Sequence, residues 1–236
     1  LVETVFASAG EEGKLTREQL IEAVQRRAPI FDKGQDGHYN LISALHKAVR
    51  GSDVDAALYW LARMLVAGED PLYVTRRVVR MAVEDIGLAD PQALLQANAA
   101  KEAYDFLGSP EGELAIAQAV IYCATAPKSN SAYTAWKKAA RAAREGGSVP
   151  PPKHILNAPT RLMKDEGYGA GYQYDHDAPG GFSGQNYFPD GWERMKFYAP
   201  REAGFEREVL KRLAWWEKLR AEREPGNAGG EGGKTE

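Results

Sequence analysis

The stretch HYNLISALHKAVRGSDVDAALYWLARMLVAGEDP, residues 38–71, decides the fold class. Leu41, Ile42, Leu45, Ala48 and Val49 recur at i, i+1, i+4, i+7 and i+8, the apolar stripe of an amphipathic helix, and Gly51 stops it. Ser52 reads as the N-cap of a second helix, striped by Leu58, Leu61 and Leu65 and ended by Gly68. Asp70-Pro71 then gives a cap followed by proline at the first helical position, which costs nothing because that N–H has no partner within the helix.

The same punctuation continues outward from this stretch. A third helix carries Val74, Val78, Met81 and Ile86 and stops before Gly87. Asp90-Pro91 opens a fourth, Ser109-Pro110 precedes an almost wholly apolar fifth, and a sixth is expected over residues 130–145 after the loop Ala126-Pro127-Lys128-Ser129. Short connections make neighbouring helices antiparallel, so the expected fold is mainly α, an antiparallel helical bundle or collar. Upstream, Thr16 and Gln19 form a capping box for a helix bearing Leu20, Ile21 and Val24 that ends before Pro29. Residues 32–37, DKGQDG, read as a linker. Beyond Gly146-Gly147 the run Pro150-Pro151-Pro152 forbids helix. A short helix around residues 158–165 is expected next. Residues 168–190 are rich in Gly, Tyr and Asp and read as an irregular or β-containing segment, with Tyr172-Gln173-Tyr174 and Asn186-Tyr187-Phe188 as short strands. A last amphipathic helix is expected over 203–223, and the Gly-rich residues 225–236 read as a disordered tail.

Composition narrows the functional classes. The 236 residues are 44% hydrophobic and 27% charged, with a net charge of −3, so no strong positive field draws the chain to nucleic acid or membrane. The longest apolar run, 114–124, is far short of the ~20 residues a bilayer span needs. No signal peptide is recognisable, and the single Cys123 forms no internal bridge, which points to a reducing, cytoplasmic setting. The chain begins with Leu1, as a piece of a longer protein would.

Candidate sites were weighed against simpler roles. Residues 228–235, AGGEGGKT, fit a loose P-loop pattern, but the phosphate-holding mechanism needs a preceding strand and a following helix, and neither is expected there. Asp175-His176-Asp177 reads as loop capping rather than a cation site, and Cys123 as a buried, inert thiol. Glu84 and Asp85 follow Arg76, Arg77 and Arg80 and read as a salt-bridged helix face, with Arg80 and Glu84 at i, i+4. Lys137, Lys138, Arg141 and Arg144 put a basic stripe on the sixth helix beside Tyr133 and Trp136. That stripe is either a solvated face or a single-strand nucleic-acid contact. Tyr59, Trp60, Trp215 and Trp216 are interface candidates, because large aromatics concentrate at interface cores, or else they fill the monomer's own core. No nucleophile–base–orienter set is recognisable, so no catalytic, cofactor-binding or metal residues are assigned.

A series of stretches in order carries a resemblance: Asp32-Lys33-Gly34 leading to His38-Tyr39, Ile42-Ser43-Ala44-Leu45-His46-Lys47, Arg50-Gly51-Ser52-Asp53, and the run 56–64, AALYWLARM. Further on come the run 84–91, EDIGLADP, then Ala126-Pro127-Lys128-Ser129-Asn130, Asn157-Ala158-Pro159-Thr160, Leu162-Met163-Lys164 and Gly167-Tyr168-Gly169. Over roughly residues 30–220 the chain resembles the C-terminal half of the RarA/MgsA family, bacterial relatives of the Werner helicase-interacting protein. The resemblance implies a fold like the clamp-loader collar. Residues 1–31 would close an AAA+ lid, 32–37 link it, 38–147 form a helical oligomerisation domain, and 148–224 form an extension with a C-terminal helix. It also implies a homotetramer, with partners among single-stranded, gapped or end-bearing DNA and single-stranded DNA-binding protein. ATP and Mg²⁺ would belong to an N-terminal module that this stretch does not include.

Overall fold

The computed structural model describes residue 17 and residues 35–223; the lid, the first part of the linker and the tail pattern lie outside them. Among the described residues there are eight α-helices and no strand. They are α1 (Gln35–Arg50), α2 (Val54–Val66), α3 (Pro71–Met81), α4 (Gln92–Leu107), α5 (Glu113–Thr125), α6 (Ser131–Gly146), α7 (Arg161–Asp165) and α8 (Glu206–Arg223). Helix α1 already runs through Gln35–Gly37, so the expected linker ends earlier than its composition suggests. The chain forms two compact units, dividing between Asn130 and Ser131.

The first unit is a bundle built on the stripes read from sequence. Ile42, Leu45 and Val49 of α1, Leu61 and Met64 of α2, and Val74, Val78 and Met81 of α3 are all fully or almost fully buried. Each such side chain contributes roughly 1.5–3 kcal/mol by leaving water. Helix α5 is the hub, packing on α1, α2, α3 and α4. Its approach to α4 is close because α4 turns a stripe of alanines, Ala93, Ala97 and Ala100, inward. The α4–α5 turn has no room for a side chain: a Cβ on Gly112 would lie 2.8 Å from Tyr104 Cα.

Local chemistry sets the helix ends, and three differ from expectation. Asp53, not Ser52, caps α2, its carboxylate accepting the Ala56 N–H at 3.0 Å. Ser52 has φ 60°, outside the extended region an N-cap needs. Asp70 caps α3 at 3.0 Å from the Leu72 N–H, with Pro71 at the first position as expected. Helix α3 stays α-helical only to Met81, then widens into a π turn at Ala82–Ile86 and a 3₁₀ turn at Gly87–Ala89. Helix α5 begins at Glu113, not at Pro110, because the tight Gly112 turn intervenes.

The second unit contains α6, which sequence had grouped with the bundle. Both ends of α6 are fastened there: Ser131 Oγ donates to Glu206 at 3.4 Å, and a Cβ on Gly146 would lie 2.3 Å from the Trp192 ring. The strands expected at 172–174 and 186–188 do not form. Instead the Gln185 side chain accepts the Gln173 N–H at 3.1 Å and donates to the Gly171 carbonyl at 2.9 Å, filling the positions a neighbouring strand would occupy. The Asn186 side chain likewise takes the Phe188 N–H at 3.2 Å. The short helix is only Arg161–Asp165, capped by Thr160, and the last helix starts at Glu206 rather than 203.

Candidate functional site

The expected sites separate on the structure. Tyr59 and Trp60 meet edge to face with ring centroids 5.0 Å apart, yet their roles differ. Trp60 packs on the apolar core, whereas Tyr59 is 59% exposed. Trp215 and Trp216 lie 6.3 Å apart on α8, both exposed. Trp216 walls a groove of about 430 Å³ with Phe182, Leu213, Arg194 and Arg220.

The basic stripe on α6 is exposed along Lys137, Lys138, Arg141 and Arg144, but it is not four equivalent cations. Arg141 is paired to Glu145 at 2.7 Å, an i, i+4 bridge that raises the guanidinium's pKa. Lys137 sits 5.3 Å over the Tyr133 ring. Trp136 beside them is 72% exposed.

Asp175 acts as a loop cap. It accepts from Tyr187 Oη at 2.6 Å, the Ser183 N–H at 2.8 Å and Ser183 Oγ at 2.7 Å. Those donors hold its carboxyl well below the usual range, at about 2. Cys123 is buried in α5, and burial pushes its thiol up to about 11, so thiolate is scarce at neutral pH.

Three features escaped the sequence reading. The first is a charge cluster at the π turn. Asp85 is buried, receiving Arg50 Nε at 2.6 Å and lying 2.6 Å from His46 Nε2. Glu84 faces Arg80 at 2.6 Å and Arg50 at 3.6 Å. His46 Nε2 is also 3.1 Å from Arg50 Nη2, and it cannot both donate to Asp85 and accept from Arg50. The shorter contact, to a carboxylate, places the hydrogen on Nε2. Burial opposes ionisation of Asp85, but the hydrogen bonds and charges of His46 and Arg50 together outweigh it and lower its pKa. The cluster clamps α1 to the end of α3. Its signal was present in the spacing, because Asp85 continues the buried series Val74, Val78, Met81 at the next i+4 step.

The second is Glu206, fully buried at the start of α8, which accepts from Tyr198 Oη and the Arg201 N–H, both at 2.8 Å. A carboxylate in a helix's first turn also faces the positive end of the helix dipole. The third is on the hub helix, where Leu114 is 75% and Ile121 41% exposed. At the adjacent end of α4, Phe106 is 89% exposed and Leu107 is exposed beside it. A helix apolar all round belongs in an interior.

Among the described residues no group of three or more His, Cys, Asp or Glu side chains is placed to hold a metal ion. No helix among them is long and apolar enough to cross a membrane.

Comparison with known proteins gives consistent matches. Residues 51–217 match the family described as MgsA AAA+ ATPase C terminal, and residues 1–50 match the AAA C-terminal domain. The boundary at Arg50 falls inside one packed unit, since α1 is buried against α2, α3 and α5. The chain is 51% identical over 201 residues to replication-associated recombination protein A of Coxiella burnetii, covering 85% of this chain and 45% of that protein. It is 48% identical over 213 residues to the protein of the same name in Escherichia coli K12, covering 89% and 48%. With the ATPase WRNIP1 of Dictyostelium discoideum it shares 50% identity over 190 residues, 78% of this chain and 21% of that one. The chain thus spans about half the length of the bacterial relatives it matches.

Proposed function

The chain belongs to the family of MgsA AAA+ ATPase C-terminal regions, and on that premise we propose that it is the homo-oligomerisation module of a RarA-like AAA+ ATPase acting in replication-fork maintenance and recombination-linked DNA repair. The observation that carries this reading is the set of large apolar side chains left open around a core that is already complete: Phe106, Leu107, Leu114 and Ile121 beside the fully buried Ile116 and Val120. Exposed apolar groups clustered on a well-packed helical scaffold suit a surface covered by another copy. Held as a homotetramer, the ATPase modules of the longer protein would bind ATP and Mg²⁺ and sit at high effective concentration around one DNA junction. DNA with single-stranded, gapped or free-end character and single-stranded DNA-binding protein are the partners this role calls for, in the cytoplasm at the nucleoid. Light scattering behind a sizing column tests it: a multimer is expected at micromolar concentration, and a monomer overturns the reading.

A second reading has its own observation. Lys137, Lys138 and Arg144 are exposed beside the open Trp136 ring, the combination that tracks phosphates and stacks bases of a single strand. A variant carrying Lys137→Ala, Lys138→Ala and Arg144→Ala should lower the salt dependence of single-strand binding by up to about three units of slope, scaled by the ~0.7 per phosphate contact of single strands. An unchanged slope removes this role.

A further inference from the structure

The open face of α5 has a definite pattern. Leu114, Gln118, Ile121 and Thr125 are exposed at successive spacings of four, three and four, while Ile116, Ala119, Val120, Cys123 and Ala124 are buried. That 3–4 alternation is the seam of a two-helix coiled coil. The seam carries no charge. Thr125 turns its hydroxyl back to the Ile121 carbonyl at 2.9 Å, which leaves its methyl group available to the face. Charge appears only at the ends and with opposite sign. Glu111 and Glu113 stand at the N-terminal end, and the Lys128 ammonium stands at the C-terminal end, donating to the carbonyls of Ala124 at 2.9 Å and Ala126 at 2.6 Å.

We propose that α5 pairs antiparallel with α5 of a second copy, about a two-fold axis crossing the helix between Gln118 and Ile121. In that register Leu114 of each copy meets Thr125 of the other, and Gln118 meets Ile121. The acidic N-terminal end lies against the Lys128 end, with the two helix dipoles opposed. A neutral centre with acid at one end and base at the other is self-complementary only in the antiparallel sense. A parallel pairing would set like charges together at both ends. An isologous contact of this kind closes on itself, as a two-fold dimer must. Phe106 and Leu107, near the N-terminal end of α5, widen the patch beyond what one 13-residue helix covers.

The proposal rests on the assembly reading and is tested so that the two fail separately. For the 236-residue chain, sizing with light scattering compares wild type with Ile121→Glu and Leu114→Glu, and far-UV circular dichroism confirms the fold, since both positions are exposed. The expected result is a multimer for wild type and at least a twofold drop in mass for each variant. A monomeric wild type overturns the assembly reading itself. Variants that keep both their fold and the wild-type mass overturn the α5 seam while assembly stands. In parallel, the double variant Gln118→Cys, Ile121→Cys is oxidised mildly, with the wild type, whose Cys123 is buried, as background. A disulfide-linked dimer is expected well above each single variant. Crosslinking as strong in Gln118→Cys alone overturns the antiparallel register.

Discussion

Up to Asn130 the chain folds around Ile42, Leu45, Met64, Met81, Ile86 and Ile116, all enclosed. From Ser131 onward no large apolar side chain is enclosed among the described residues; the buried groups are Ser131, Pro152, Ser183 and Glu206. That second unit is held instead by carboxylates that collect donors, by the Gln185 amide bridging two backbone groups, and by Arg220 and Arg223 at 5.0 and 5.6 Å from the Phe182 ring. Area removed from water is forgiving of small shifts, whereas hydrogen bonds demand geometry and lose most of their net value wherever water can replace a partner. The first unit should therefore behave as a cooperative core and the second as a stapled extension of lower local stability.

Two substitutions probe that contrast most strongly. Leu45→Ala leaves a cavity in the bundle and should cost about 2–5 kcal/mol, read as an earlier midpoint of helical signal in urea. Glu206→Ala leaves the Tyr198 hydroxyl and the Arg201 N–H without that acceptor and should cost roughly 2 kcal/mol, less than a deep core cavity because water can enter a thin unit. Of the five tryptophans, Trp136, Trp192, Trp215 and Trp216 lie in the second unit and only Trp60 in the first, so fluorescence reports mainly the second. Glu206→Ala should move the fluorescence midpoint and leave the circular dichroism midpoint nearly in place; Leu45→Ala should do the reverse. If both probes move together in both variants, the two units unfold as one body and the contrast fails.

The bundle was legible because its determinants are local. The stripes of α1, α2 and α3 and the Asp70-Pro71 start depend on spacing within one helix, and the structure keeps them. What was not legible depends on partners distant in sequence. Asp85 looked like one half of an acidic helix face, and nothing nearby reveals that His46 and Arg50, 39 and 35 residues earlier, close on it. The strands expected near Tyr172 and Tyr187 failed for a similar reason, because Gln185 reaches across and takes the bonds a strand would have used. The α5 stripe was hidden by its own composition: an apolar helix shows no polar face to say which side is open.

The two low-pKa carboxylates bring the same contrast down to single residues. Asp85, enclosed in the bundle, and Asp175, in a surface loop, both have folded-state pKa values below that of the unfolded chain. For a depressed carboxyl the stabilisation is complete above the unfolded value, near 4, and is lost as pH falls through the folded one. Asp85→Asn should cost about 1–2 kcal/mol at pH 7, since it removes the charge that His46 and Arg50 face inside the bundle. Asp175→Asn should cost only a few tenths, because solvent screens the loop. Urea midpoints at pH 7 and pH 3 separate the cases: the wild-type advantage over Asp85→Asn should shrink toward pH 3. The small advantage over Asp175→Asn should persist there, because that carboxyl stays ionised down to about 2. Equal costs at pH 7 would mean that enclosure does not distinguish the two units.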